Sequence, residues 1–277
     1  MENQESGKTM EQLNEPILQV VGEDLLTIDG LGKSYGTNEV LRNLNVSVRA
    51  GEFMCIVGPS GAGKTTLLQC LSGLSAPSAG EVRLRDKVIN EPPEEMAIVF
   101  QDYSRSLMPW MSVLDNVMLP LRNKIKSKSE RKAKAMSALE EVGLKNHVGK
   151  YPWQLSGGMQ QRVAIARALA YEPAIVLMDE PFASVDAQTR AELEDLTLKV
   201  KRHLGITVLL VTHDIDEAVY LSDRVLVLGG SPTGVVDLVE TNLGEERDQI
   251  TTKSTQRFAE IRTQVYQQIR SNTIKVS

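Results

Sequence analysis

The chain has 277 residues, 42% of them hydrophobic, 24% charged and 4% aromatic, which excludes a disordered or fibrous protein and suits one large domain or two small ones. Its longest apolar runs fall far short of the roughly 20 residues that a membrane-spanning helix needs. The net charge of −5 offers no electrostatic case for broad nucleic-acid binding, and two cysteines, Cys55 and Cys70, are too few for a disulfide framework and read as small core residues.

Residues 1–24 read as a polar, mobile tail with no apolar signal segment. Short strands follow at Leu25–Ile28 and Val46–Val48, then a buried strand at Phe53–Val57 that ends in Gly58 and Pro59. Lys64–Leu71 reads as a helix stopped at Ser72 and Gly73, with further strands at Val82–Leu84 and Ala97–Phe100. From about 102 to 170 the pattern turns helical. Ser129–Val142 carries Met136, Leu139 and Val142 on one face and Gly143 as a stop, so this stretch reads as a helical insertion in a sheet-based core. Strands return at Ile175–Met178, Thr207–Val211 and Arg224–Leu228, and their alternation with a helix implies parallel pairing and an α/β core. A Gly/Pro/Ser turn region comes after Gly229, and Thr255–Arg270 reads as an amphipathic helix with Phe258, Ile261, Val265 and Ile269 on one face.

Gly58-Pro59-Ser60-Gly61-Ala62-Gly63-Lys64-Thr65, followed by Thr66, matches G-x-x-x-x-G-K-[ST] between a strand and a helix. The glycines let the backbone curl with its N–H groups inward, and with the helix N-terminus they form an anion cradle. Lys64 is placed to reach the β- and γ-phosphates, and Thr65 offers a hydroxyl to Mg²⁺. The loop alone says only that a nucleoside triphosphate binds. Asp179 and Glu180 end an apolar strand. Asp179 is suited to hold Mg²⁺, and Glu180 to act as general base on the attacking water. Ser156, Gly157 and Gly158 form a second helix N-terminus with exposed N–H groups. One γ-phosphate does not need two cradles from one chain, so this second cradle serves a nucleotide bound by another copy.

With the string Leu155-Ser-Gly-Gly-Met-Gln-Gln-Arg162 in place, the chain from about Leu25 to Glu240 resembles the ATP-binding subunit of an ATP-binding cassette (ABC) transporter. The resemblance implies a P-loop NTPase (RecA-like) core with an antiparallel β subdomain and a helical subdomain at about 102–170, with residues 241–277 as a C-terminal helical extension. It implies that Tyr35 stacks on adenine, that Gln101 contacts Mg²⁺ and the attacking water, and that His213 contacts the γ-phosphate. His147 and His203 read as structural. Asp186, in Ala183-Ser-Val-Asp186, matches the loop that crosses the dimer interface; Val185 departs from the family's usual Leu there. Two ATP molecules are then sandwiched between two copies, head to tail, as in a homodimer.

A closing dimer without a membrane span must pass its motion to permease subunits, and Tyr103–Trp110 reads as a partner groove beside Gln101. Arg105–Leu121, especially Met108–Val117, and Arg257–Arg262 resemble the importer subgroup for nitrate, aliphatic sulfonates and taurine, which implies an extracytoplasmic solute-binding protein and a peripheral place on the cytoplasmic face of the cell membrane. The Arg122–Lys134 charge run reads as a solvated helix face. A soluble ABC-type ATPase acting on DNA or ribosomes is the alternative, disfavoured by the acidic balance. A binding module without turnover is disfavoured by Glu180, Gln101 and His213. A GTPase is disfavoured because Asn123-Lys-Ile-Lys126 lacks the base-reading Asp.

Overall fold

A computed structural model describes residues 22–102 and 106–273. Most of the tail, and Tyr103 of the partner groove with its two successors, lie outside the described residues. In chain order the strands and α-helices are β1 (Asp24–Tyr35), β2 (Asn38–Arg49), β3 (Phe53–Val57), α1 (Lys64–Leu71), β4 (Ala79–Leu84), β5 (Lys87–Val88), β6 (Met96–Val99), α2 (Val113–Met118), α3 (Leu121–Lys124), α4 (Lys128–Glu141), α5 (Gly157–Ala170), β7 (Ile175–Asp179), α6 (Ala187–Leu204), β8 (Thr207–Val211), α7 (Ile215–Leu221), β9 (Arg224–Gly229), β10 (Gly234–Glu240) and α8 (Gln256–Thr273).

The central sheet runs β10-β9-β3-β8-β7-β6. From β9 to β6 the strands pair in parallel, and β10 lies antiparallel on β9. All five residues of β3, β7 and β8 are buried, as expected for parallel strands covered on both faces. Along β3 the side chains alternate between two cores. Phe53, Cys55 and Val57 pack with the helical residues, while Met54 and Ile56 pack with α1 and the second sheet.

That second sheet is antiparallel, in the order β2-β1-β4-β5. Its first two strands are much longer than their apolar alternation predicts. Pairing of β1 with β2 shifts register between Ile28 and Leu31 and twice more before Tyr35. Each shift breaks the period of two, so a short window loses the strand where the chain keeps it. The edge strand β10 occupies the region where the sequence predicts only turns. A register shift between Val235 and Asp237 and its half-exposed side chains hide its alternation in the same way.

The helical insertion is built by α2 to α5. Ser127 caps α4 by accepting a hydrogen bond from the Glu130 amide, and Gly143, at φ 73°, lies just past its end. The buried face of α4 is Ala135, Ala138 and Leu139, continued by Val142. Met136, expected on that face, is half-buried. C-terminal helix α8 docks on the main body: Phe258, Ile261 and Val265 are buried in the same core as α5 and β3.

Ile261 is fully buried. Its replacement by Ala should cost about 2–5 kcal/mol through lost burial and the cavity left behind. Urea unfolding checks this: the midpoint should fall with the slope unchanged, while Tyr266→Ala, on the exposed face of α8, should stay within about 0.5 kcal/mol of the parent.

Candidate active site

Four adjacent parallel strands end on one edge of the sheet. Their register (Ile56 beside Val211, Asp179 beside Val211, Val99 beside Met178) brings the segments after them together. The strand β3 leads into the phosphate loop. A Cβ on Gly58 would lie 2.8 Å from the Leu228 carbonyl oxygen, and one on Gly63, already at φ 71°, would lie 2.7 Å from Val40 Cγ1. Both ends of the loop therefore exclude side chains sterically. Ser60 and Gly61 form its exposed apex, Pro59 is half-buried, and Ala62 is buried with its amide donating to the Pro59 carbonyl. Lys64 is buried at the mouth of α1, and its Nζ donates to the carbonyls of Gly58 (2.9 Å) and Pro59 (3.1 Å). Burial pushes the Lys64 amine's pKa down, against the fields of Glu180 and Asp179. Thr65 is exposed and Thr66 half-buried in the first turn.

Asp179 closes β7 and is largely buried. Burial raises its pKa and the neighbouring Glu180 raises it further, while the Thr65 hydroxyl and Lys64 oppose them. Glu180 sits at φ 43°, in the left-handed region, with its amide donating to the Val211 carbonyl (2.8 Å). A non-glycine residue held there costs about 1–3 kcal/mol and persists when its surroundings fix it. Glu180 Oε2 accepts a hydrogen bond from Gln101 Nε2 at 2.9 Å and lies 3.2 Å from His213 Nδ1. Gln101 lies just past β6 and His213 just past β8, so three strand ends meet on one carboxylate.

Among the described residues no group of three or more His, Cys, Asp or Glu is placed to hold a metal. One carboxylate and one hydroxyl beside a phosphate cradle is nonetheless the donor set Mg²⁺ takes when phosphate oxygens and water complete its shell. Asp179 and Thr65 fit that description.

Of the remaining predicted residues, Ser156, Gly157, Asp186 and Tyr35 are exposed and Gly158 is not. Ser156 caps α5, its Oγ accepting from the Met159 amide; Gly157 is exposed, and Gly158 is buried against α6, where a Cβ would lie 2.4 Å from Thr189 Cγ2. Asp186 caps α6 and accepts from the Thr189 amide (3.0 Å) and hydroxyl (2.7 Å). Tyr35 is half exposed at the end of β1, with Lys33 Nζ 5.1 Å from its ring centroid. Among the described residues no hydrogen bond joins 156–158 to the phosphate loop.

Trp110 is 70% exposed, whereas Leu107 of the same stretch is buried. The loop that carries Trp110 is pinned by Asn116, which is fully buried, accepts from the Met108 amide and donates to the carbonyls of Met108, Met111 and Ser112. No sequence pattern singles out Asn116. The cluster behind His213 is also absent from the sequence-based expectations: Asp214 caps α7 by accepting from the Glu217 amide (3.1 Å) and pairs with Arg190 Nη1 (3.1 Å). Here a signal exists, since Asp214-x-x-Glu217 before an apolar helix is the pattern of a capping box. With Glu180, Ala183, Thr212 and His213 these residues line a cleft of about 10 Å³, room for about one water.

Fold and site together define a nucleoside-triphosphate-binding P-loop protein. The family model described as "ABC transporter" matches residues 41–183. An uncharacterised ABC transporter ATP-binding protein of Methanocaldococcus jannaschii is 44% identical over 254 residues, 90% of this chain and 93% of that protein. A taurine import ATP-binding protein of Yersinia pestis is 40% identical over 80% of this chain and 86% of its own. A nitrate import ATP-binding protein of Synechococcus elongatus is 40% identical over 88% and 91%. Among solved structures, a Clostridium perfringens subunit described as part of an ABC transporter complex superposes with a TM-score of 0.73 at 31% identity, covering 79% of this chain and 89% of that one. A dimeric ATP-binding cassette in a post-hydrolysis state with ADP and phosphate gives 0.68 at 34% identity, covering 78% and 98%. The chain belongs to the ABC transporter ATP-binding family, and it is a transport-coupled ATPase.

Glu217 is buried with one carboxylate oxygen unpartnered, and burial, reinforced by Glu194, pushes its pKa up to about 8. The folded state therefore holds a proton that the unfolded chain releases above its ordinary value near 4.5. Stability should fall as pH rises from about 5 to about 8. Glu217→Gln should remove that component: measured by denaturant unfolding, its stability relative to the parent should rise across this window by a few kcal/mol.

Proposed function

We propose that this chain is the ATP-hydrolysing subunit of a membrane importer for a small solute of the nitrate, sulfonate or taurine kind. Two copies close head to tail around two ATP molecules. In each site the phosphate loop of one copy, Gly58 to Thr66 with Lys64, holds the β- and γ-phosphates. Ser156, Gly157 and Gly158 of the second copy cover the γ-phosphate with the N-terminus of α5. Tyr35 stacks on the base, and Asp186 lies at the crossing of the two copies.

The observation that carries this reading is the double contact on the Glu180 carboxylate. A carboxylate that receives Gln101 and His213 at the end of the strand next to the phosphate loop is placed to take the proton of an attacking water. Gln101 orients that water, and His213 donates toward the γ-phosphate oxygens. Mg²⁺, held by Thr65 and Asp179 with Gln101 beside it, would supply charge neutralisation on the phosphates. The rest is positioning and preorganised charge.

No helix among the described residues is long and apolar enough to cross a membrane, so in this reading the pore belongs to permease subunits. They dock from the membrane at the Trp110 loop, on the cytoplasmic face, and a solute-binding protein delivers from the other side. The taurine and nitrate import relatives support the solute class.

Glu180→Gln tests the mechanism. The variant should bind ATP and form an ATP-dependent dimer on size exclusion, with turnover down about 10²–10⁴-fold, the usual share of a general base. Hydrolysis at the parent rate would sink the assignment of Glu180 as the base.

A further inference from the structure

We propose that Arg190 is a positioning residue for His213: from the interface helix α6, acting through Asp214, it sets the place of the histidine at the γ-phosphate. The proposal rests on the proposed mechanism, in which His213 works at that phosphate.

The His213 side chain is 63% exposed, so little packing holds it. Its position is set by the residues on either side. Before it, the Thr212 amide donates to the Ile56 carbonyl in β3 (3.1 Å). After it, the Asp214 amide donates to Thr212 Oγ1 (3.0 Å), and the Asp214 carboxylate is held at both oxygens: Oδ1 by the Glu217 amide and Oδ2 by Arg190 Nη1. The sheet and α7 thus supply every anchor but one, and the last comes from α6.

Charge makes that last anchor matter. Glu180 and Asp214 line the cleft beside Glu217, which keeps its proton, and among the described residues Arg190 is the one permanent cation in its lining. Glu194, buried one turn further along α6, is held by Lys253 and Gln249 and leaves Arg190 as the cation that pairs with Asp214. Arg190 Nε and Glu217 Oε1 are both buried without a partner, so the cleft is under-satisfied even with Arg190 present. Without it, the Asp214 carboxylate, one side of which is open to solvent, keeps only the Glu217 amide and is free to turn away from α6. That change loosens the segment that aims His213.

The same helical turn faces the other half-site. The Arg190 amide donates to the Asp186 carbonyl (2.8 Å), and Thr189, next to Arg190, bonds to the Asp186 carboxylate and fills the space beside Gly158. In the sandwich, Gly158 and His213 of one copy serve different ATP molecules. A shift at the interface when the second copy closes reaches His213 through Arg190.

The test uses the full-length protein and steady-state ATP hydrolysis, with a fluorescent ATP analogue reporting binding. Arg190→Met should lower kcat about tenfold or more with KM and analogue affinity within about twofold, because the phosphate loop is untouched. Arg190→Lys, which keeps the charge, should recover most of the rate. Asp214→Asn keeps a capping side chain but loses the ion pair, and should match Arg190→Met. The double variant should be no slower than the slower single one, because both act through one contact. An Arg190→Met kcat within twofold of the parent overturns the proposal, and so do losses that multiply in the double variant. Should Arg190→Met fail to fold, Arg190→Lys against Asp214→Asn decides by the same comparison. The parent and Glu180→Gln are measured alongside: if both hydrolyse ATP equally, the underlying mechanism has failed; if only Glu180→Gln is inactive and Arg190→Met is unaffected, only the role of Arg190 has.

Discussion

The in-register parallel pairing of β3, β8, β7 and β6 is the constraint on which the rest of the site depends. Adjacent parallel strands start together and end together, so the segment after each strand is delivered to the same edge. Here the four successors are the phosphate loop, His213, the Asp179–Glu180 pair and Gln101. Their separation in sequence, from 58 to 213, is irrelevant to their separation in space. Burial fixes the pairing: the side chains of β3, β7 and β8 are packed inside two cores. A one-residue slip would turn each strand's side chains to the opposite core.

On that edge the balance of charge is set by Lys64 against two carboxylates. Burial works against the charged forms of Lys64 and Asp179, and each is sustained by the other. Lys64 is favoured by Glu180 and Asp179, and Asp179 by the Thr65 hydroxyl and Lys64. The Lys64 ammonium lies on the carbonyls of its own loop, so a phosphate entering the cradle competes for a cation that is already solvated by backbone. Glu180 is likewise committed, to Gln101 and to His213, from a backbone angle that only its Val211 bond and neighbours sustain. Strain and partial burial there are compatible with a site assembled for charge that arrives with the substrate.

The centre of this arrangement is legible in the sequence, because it depends on local patterns. Buried strands β3 and β8 and helix α1 begin and end where the apolar runs and glycines place them. The residues at the strand ends are named by motifs of fixed spacing. Two kinds of feature escape such a reading. The full lengths of β1, β2 and β10 are hidden by register shifts that destroy the period of two. Asn116 and Arg190 are hidden because their partners are backbone groups or distant side chains. Asn116 holds amide and carbonyl groups of the loop before it, and Arg190 holds a carboxylate 24 residues away. Neither residue type signals its partner in one dimension.

The same helix that carries the second cradle also carries the proposed docking loop. Ser156 caps the N-terminus of α5, and Arg167, three turns on, donates to the Ser106 carbonyl (2.5 Å) and hydroxyl (2.9 Å) just before Leu107. Leu107 is buried, Asn116 pins the loop beyond it, and Trp110 is left standing outward. A 14-residue helix is stiff on the scale of these contacts. In the proposed dimer, a displacement of Ser156 and Gly158 toward the second copy's nucleotide would therefore move the Trp110 loop as part of one body. Gln101, five residues before Ser106, donates to Glu180. The proposed coupling of hydrolysis to transport then needs no long relay. In that proposal the helical insertion would turn as a unit between the Gln101 contact to Glu180 and the exposed Trp110, where a permease would sense its angle.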